Sequence, residues 1–199
     1  MTAIKICGIT READAGLAVS LGANALGFVL WPKSPRHAEF ARVKAITATL
    51  PPFVTPVGVF VDPTADEIAR GAQSGVRLAQ IHGRVPVGCT LPVLRALHLG
   101  DNPDGLDAEV GPLETILLDA HDPVLQGGTG RTVDFARAAS VAARRRVVLA
   151  GGLTPANVRE AIGTVRPYAV DVASGVEAEP GIKDPAKLRA FIYAVKESQ

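Results

Sequence analysis

Eight short apolar runs, rich in Val, Ile and Leu, recur along the 199-residue chain and constrain the fold more than any other feature. Parallel strands that are covered on both faces have this nearly continuous apolar composition. The runs alternate with helical patterns whose starts are recognisable, as at Thr64–Glu67 and Asp184-Pro185. The predicted strands are Ile4–Cys7, Ala25–Val29, Val57–Val61, Leu78–Ile81, Val93–Leu97, Thr115–Asp119, Val147–Ala150 and Ala169–Ala173.

This alternation predicts an α/β fold, a single-domain (β/α)8 TIM barrel that spans residues 1–199. The barrel is compact, since this fold usually takes about 250 residues. No linker or change in composition divides the chain. The region 86–112 is rich in Gly, Pro and Asp, so short or missing helices are expected there. A doubly wound open sheet is the alternative architecture.

Charge and cysteine content exclude several classes of function. The formal net charge is only +1, which disfavours a surface for nucleic acid or for anionic lipid. Two cysteines are too few for a disulfide framework, and no signal segment opens the sequence. No uncharged run reaches the ~18 residues that cross a bilayer. We therefore expect a cytoplasmic protein that binds neither nucleic acid nor a membrane.

The predicted strand ends carry reactive side chains and glycine turns. In a (β/α)8 barrel the catalytic groups lie at the C-terminal ends of the strands. A thiol, acidic groups, two histidines and two glycine-rich turns occur at these ends, and together they predict a catalytic rim. The residues are Cys7, Asp62, His82, His98, Asp119, Gly151-Gly152 and Ser174-Gly175.

Cys7 and Asp119 are the candidate proton-transfer residues. Cys7 shares strand parity with Lys5, so both are expected to face the barrel axis. A free cysteine is more often a small buried apolar residue, but its place before Gly8 at a strand end favours a reactive thiol. Asp119 either caps the next loop or exchanges protons at the rim. Asp171 is expected to pair with Lys5, because the first and last strands of a closed barrel are neighbours and a buried charge needs a partner.

Glycine turns follow the last two predicted strands, at Gly151-Gly152 and Ser174-Gly175. Barrels of this type commonly bind phosphate there, because glycines let successive backbone N–H groups point at an anion. The loop around Gly128 resembles the end of a nucleotide P-loop. It has Leu125 in place of the first glycine and Arg131 in place of the lysine, so a glycine loop beside the acid is the better interpretation.

Arg36 and His82 are candidate binding residues. The planar guanidinium of Arg36 suits a carboxylate, although spacing alone favours a solvated arginine in the loop after the second strand. His82 and His98 do not form a His-x-His or His-x-x-x-His pair, so a zinc site is not predicted.

These motifs together resemble the phosphoribosylanthranilate isomerases of tryptophan biosynthesis. The most specific are KICGIT at 5–10, KSPR at 33–36 and DVASGVE at 171–177 with its following PG and KD. The resemblance implies an Amadori rearrangement of N-(5-phosphoribosyl)anthranilate into 1-(2-carboxyphenylamino)-1-deoxyribulose 5-phosphate. It also implies a small phosphosugar substrate, no cofactor and no metal, and a monomer or a homodimer. The other matching segments are 22–32, 51–62, 79–83, 117–119, 127–134, 150–158 and 178–184.

The same resemblance assigns roles to individual residues. Asp119 matches the general acid that protonates the ribose ring oxygen, and Cys7 matches the general base that removes a proton from the adjacent ribose carbon. Arg36 matches the residue that receives the anthranilate carboxylate. The remaining substrate-binding residues, most of them at the phosphate end, are His82, Gly128, Gly151, Gly152, Ser174 and Gly175.

Two alternative functions are kept. A phosphosugar-binding barrel without catalysis explains the glycine turns but not a thiol and an acid at the same rim. A dual-specificity isomerase would also accept an aminoaldose of the histidine pathway, but such barrels have an aspartate where Cys7 stands.

Overall fold

The computed structural model describes residues 1–99, 110–111, 114–119 and 134–198. In it, eight parallel strands form a closed barrel in sequential order, and the eighth pairs with the first. The predicted TIM barrel is therefore confirmed, with strand ends within one or two residues of those expected. The strands are β1 Ala3–Cys7, β2 Ala25–Val29, β3 Thr55–Val61, β4 Leu78–His82, β5 Val93–His98, β6 Ile116–Asp119, β7 Val147–Ala150 and β8 Ala169–Val172.

Six α-helices in the described ranges pack around the barrel. Thr64 and Glu67 form the predicted capping box at the start of α3, and Asp184 caps α6 at Pro185. None of these helices is long and apolar enough to cross a membrane. They are α1 Glu12–Leu21, α2 Phe40–Thr47, α3 Ala65–Gln73, α4 Phe135–Ala142, α5 Val158–Val165 and α6 Pro185–Lys196.

The connection from β4 to β5 contains no helix. Residues 83–92 are all described and form turns and irregular backbone, as the Gly and Pro content predicts. The rest of the region 86–112 lies partly outside the described residues.

The barrel interior contains an apolar cluster and three buried polar side chains. Apolar side chains from β5 to β8 form a small inner cluster: Leu94, Ala96, Leu117, Val148, Ala150 and Ala169. The buried polar side chains are Lys5, Gln80 and Asp171. Lys5 precedes Cys7 by two residues on the same strand face, so it lies one layer deeper in the barrel than the thiol.

Candidate active site

A cavity of about 410 Å³ is lined by residues from the C-terminal parts of five strands and from the loops after β7 and β8. It brings together six of the predicted site residues, namely Cys7, His82, Asp119, Gly151, Gly152 and Ser174. The other lining residues are Gln80, Leu117, Ala150, Leu153, Asp171, Val172 and Ala173. Gly128 lies outside the described residues.

Strand parity places the thiol and the acid on the same cavity. Cys7 ends β1 and shares its inward face with Lys5, while Asp119 ends β6 two residues after Leu117, which also lines the cavity. One group able to donate a proton and one able to accept it therefore open onto a single space. This arrangement is what acid–base catalysis on one bound molecule requires.

Cys7 is largely buried, with 8% of its surface exposed. Burial raises the pKa of the Cys7 thiol, and the nearby Lys5 and Lys183 ammonium groups only partly offset this effect. A raised pKa makes the thiolate a stronger base but a rarer species at neutral pH. A reaction that uses this thiolate should accelerate as the pH rises toward that pKa.

Lys5 and Asp171 form the buried ion pair that the sequence predicts. Their charged atoms lie 2.9 Å apart, and the side chains are only 4% and 7% exposed. Burial alone would lower the pKa of Lys5, but the charges and hydrogen bonds of Asp171 and Cys7 together hold that pKa above its usual value. The second carboxylate oxygen, Oδ1, is buried without a hydrogen-bond partner among the described residues.

Arg36 is held by a buried carboxylate rather than by solvent. Its Nε and Nη2 donate to Glu177 over 3.0 and 2.7 Å, while its aliphatic stem lies against Gly8, the residue after Cys7. One edge of the guanidinium is thus occupied by Glu177. The Nη1 edge has no hydrogen-bond partner within the described part of the chain and suits a carboxylate.

Lys183 connects this network to the thiol strand. Its fully buried ammonium donates to Glu177 over 2.9 Å and to the Cys7 carbonyl oxygen over 2.5 Å. Burial alone would raise the pKa of Glu177, but hydrogen bonds from Arg36 and Lys183 hold that pKa below its usual value. Arg36, Glu177 and the end of β1 are therefore fixed relative to one another.

Sequence reasoning did not single out Glu177, Lys183 or Gln80. Glu177 and Lys183 lie on a short hairpin after β8, formed by β9 Glu177–Glu179 and β10 Ile182–Lys183. Their only sequence signal is membership of the DVASGVE and KD motifs. Gln80 shares strand parity with His82, so the period of two along the strand would have been a sufficient signal to place it on the inner face.

His82 is a neutral ring at the edge of the cavity. Burial and the neighbouring His98 ring lower the pKa of His82, so it is uncharged near neutral pH. The Gln80 side-chain amide nitrogen lies 3.0 Å from the Nε2 of His82 and helps to orient the ring. The described residues contain no cluster of three or more His, Cys, Asp or Glu side chains able to hold a metal ion.

The two glycine turns pack directly against each other. Gly151 and Gly152 have positive φ angles of 88° and 64°, which favour glycine. A Cβ atom at Gly175 would lie 1.9 Å from the carbonyl oxygen of Leu153, so no side chain fits there. The Asn157 side chain fixes the first turn, because its amide nitrogen donates to the Gly152 carbonyl over 2.9 Å.

Comparison with known proteins identifies relatives along nearly the whole chain. The family model described as N-(5'-phosphoribosyl)anthranilate (PRA) isomerase matches residues 4–194. A protein of that name from Chromohalobacter salexigens is 49% identical over 100% of this chain and 96% of its own length.

Solved structures show the same similarity. The phosphoribosyl anthranilate isomerase of Thermotoga maritima is 40% identical with a TM-score of 0.88, covering 99% of this chain and 100% of that one. A second structure with that enzyme name, in complex with reduced 1-(o-carboxyphenylamino)-1-deoxyribulose 5-phosphate, is 38% identical with a TM-score of 0.86. It covers 99% of this chain and 100% of its own.

Proposed function

Because the chain belongs to the N-(5'-phosphoribosyl)anthranilate isomerase family, we propose that it converts this substrate into 1-(2-carboxyphenylamino)-1-deoxyribulose 5-phosphate in tryptophan biosynthesis. One observation carries the proposal: a thiol from β1 and a carboxyl from β6 open onto one cavity beside two glycine turns. This pairing supports catalysis rather than phosphosugar binding alone. Cys7, where the dual-specificity barrels have an aspartate, also supports the single-substrate isomerase.

Asp119 begins the reaction as the general acid. Its carboxyl proton passes to the ribose ring oxygen, and the bond from that oxygen to C1 breaks. The nitrogen lone pair forms a double bond to C1, which gives an open-chain iminium ion and leaves Asp119 as a carboxylate. The positive nitrogen then acidifies the C–H bond at C2.

Cys7 completes the rearrangement as the general base. Its thiolate takes the proton from C2, and the electron pair of that bond forms a C1–C2 double bond while the iminium electrons return to nitrogen. The resulting enolamine gains a proton at C1 and loses the hydroxyl proton at C2, which yields the ketone. No atom is gained or lost overall, so the chemistry itself consumes no oxidant or reductant.

The two ends of the substrate are bound by different parts of the rim. The phosphate lies against the glycine turns at Gly151, Gly152, Ser174 and Gly175. The anthranilate carboxylate binds the Nη1 edge of Arg36, and the neutral His82 ring offers a hydrogen bond to the sugar. Fixing both anionic ends places C1 and C2 between the acid and the base.

The proposed activity is tested with freshly prepared phosphoribosylanthranilate, whose fluorescence is lost on conversion. Purified protein should accelerate this loss in the presence of EDTA, and the product should be the aminodeoxyribulose phosphate. Binding of the substrate without turnover would instead support a phosphosugar-binding protein.

Replacing Arg36 with methionine should raise KM ~10- to 100-fold with a smaller change in kcat, because a charge-assisted hydrogen bond to the substrate is lost. The matched control is Arg42→Met, since the Arg42 guanidinium is more than half exposed and lies 3.9 Å from Glu12 on the surface. Steady-state kinetics of both variants checks the prediction. Equal KM values for Arg36→Met and wild type would contradict it.

Replacing Gly175 with alanine should raise KM and lower the free energy of unfolding by about 1–3 kcal/mol, because the new methyl group meets the Leu153 carbonyl. Gly163→Ala is the control, since no atom lies within 4 Å of a Cβ built there and its helical position favours alanine. Substrate titration and urea denaturation of both variants measure the effects. A Gly175→Ala protein with wild-type KM would show that this turn does not bind the substrate phosphate.

Assembly and location are further parts of the proposal. The phosphoribosylanthranilate isomerase of Thermotoga maritima is dimeric, which supports a homodimer as one of the two expected states of this chain. Light scattering on the purified protein distinguishes the homodimer from a monomer. We place the enzyme in the cytoplasm, because both of its cysteines are free thiols.

A further inference from the structure

We propose that Lys5, clamped by Asp171, is the positioning residue that holds the Cys7 thiolate ready to take the substrate proton. This inference rests on the proposed function only for the identity of that proton. It assigns a role to a buried ion pair that the acid–base reaction itself does not use. The thiol, the ammonium and the carboxylate would then act as one unit.

Two features place the ammonium beside the sulfur. Lys5 and Cys7 are two residues apart on one face of β1. A Cβ atom at Gly27, on the neighbouring strand, would lie 2.7 Å from the Cys7 sulfur and 3.1 Å from the Lys5 nitrogen. Both atoms therefore converge on the space above Gly27, which only glycine leaves open.

Asp171 fixes the ammonium in this place. β8 pairs with β1 so that Asp171 lies directly opposite Lys5, and their charged atoms are 2.9 Å apart. Burial disfavours the charged form of Lys5, and both the Asp171 carboxylate and the Cys7 sulfur counter this effect. The carboxylate thus holds the ammonium in place, while its own charge opposes ionisation of the thiol.

Other charged and titratable groups also surround the thiol strand. Lys183 donates to the carbonyl of Cys7 and favours the thiolate, although less than Lys5 does. Its charge is balanced by Glu177, as is that of Arg36. Across the cavity lie two further titratable groups, Asp119 and His82. Among all these groups, Lys5 has the largest favourable effect on the thiolate.

Opposite charges make the two partners act in opposite directions, and this is the basis of the test. Removing Lys5 takes away a cation, so thiolate should form at higher pH. Replacing Asp171 with asparagine removes an anion that opposes ionisation of the thiol, while the Lys5 ammonium remains. The thiolate should therefore form at lower pH. A pair that only fills space in the barrel and does not act on the sulfur would leave the ionisation of the thiol unchanged in both variants.

The experiment measures the rate of Cys7 alkylation by iodoacetamide as a function of pH, in a Cys89→Ser background that leaves one thiol. We compare this background with Lys5→Met, Asp171→Asn and the Lys5→Met/Asp171→Asn double variant. Relative to the background, the midpoint should rise by about one pH unit or more in Lys5→Met and fall in Asp171→Asn. The double variant should lie between the background and Lys5→Met, because Lys5 is the stronger of the two influences.

The double variant keeps the test valid if a single variant does not fold, because it leaves no unpaired buried charge. The limiting alkylation rate at high pH controls for access to the thiol. Midpoints that stay unchanged, or that move in the same direction in both single variants, would overturn the proposal. Alkylation does not depend on turnover, so an inactive wild type with the expected midpoints would refute the proposed function alone.

Discussion

Replacing Cys7 with serine is expected to lower kcat by ~10²–10⁴ while the fold persists. Serine is close in size to cysteine, but its hydroxyl ionises far above the range of a thiol. It therefore cannot supply the base that removes the proton from C2. Because Arg36 and the glycine turns stay in place, KM should change much less than kcat.

The second cysteine provides the control for this variant. Cys89 is half-buried in the loop between β4 and β5, where its sulfur lies 3.5 Å from the Leu91 carbonyl, and it does not line the cavity. Cys89→Ser should retain wild-type turnover. Circular dichroism of both variants tests for folding. A near-normal kcat in folded Cys7→Ser would show that Cys7 is not the general base.

Replacing Asp119 with asparagine should give a second loss of kcat of similar size, ~10²–10⁴. The amide has nearly the shape of the carboxyl group but has no acidic proton to give to the ring oxygen. Ring opening then becomes the slow step, and the Cys7 base has no iminium ion to act on. Steady-state turnover with phosphoribosylanthranilate measures the effect.

Asp62→Asn is the matched control, because Asp62 directly follows β3 at the same rim but does not line the cavity. Its φ of 43° is one that asparagine also adopts, and its Oδ1 accepts from the Arg84 backbone N–H, which an amide oxygen can also do. Asp62→Asn should therefore be active. An Asp119→Asn variant as active as Asp62→Asn would show that Asp119 is not the general acid.

Strand periodicity predicted much of this site. Since side chains alternate across a strand, the parity of Cys7 with Lys5 implied that both face the barrel axis. Closure of the barrel then implied that Lys5 and Asp171 meet, and they do. These inferences needed only the alternation of side chains along each strand and the sequential order of the strands around the barrel.

Contacts between distant loops could not be predicted in the same way. Arg36 and Glu177 are 141 residues apart, and their pairing depends on a two-strand hairpin whose position no local pattern specifies. The need for glycine at position 175 likewise comes from the Leu153 carbonyl of another loop. Such contacts depend on how the loops pack together, while apolar periodicity specifies only the scaffold.

The central claim is that one substrate lies between Cys7 and Asp119 with its phosphate on the glycine turns. A crystal structure of the wild-type protein with reduced 1-(2-carboxyphenylamino)-1-deoxyribulose 5-phosphate tests it most directly. We expect the sugar carbons within reach of both side chains, the phosphate at the turns around Gly152 and Gly175, and the carboxylate at Arg36. A ligand bound outside this cavity, or with its phosphate away from these turns, would contradict the account.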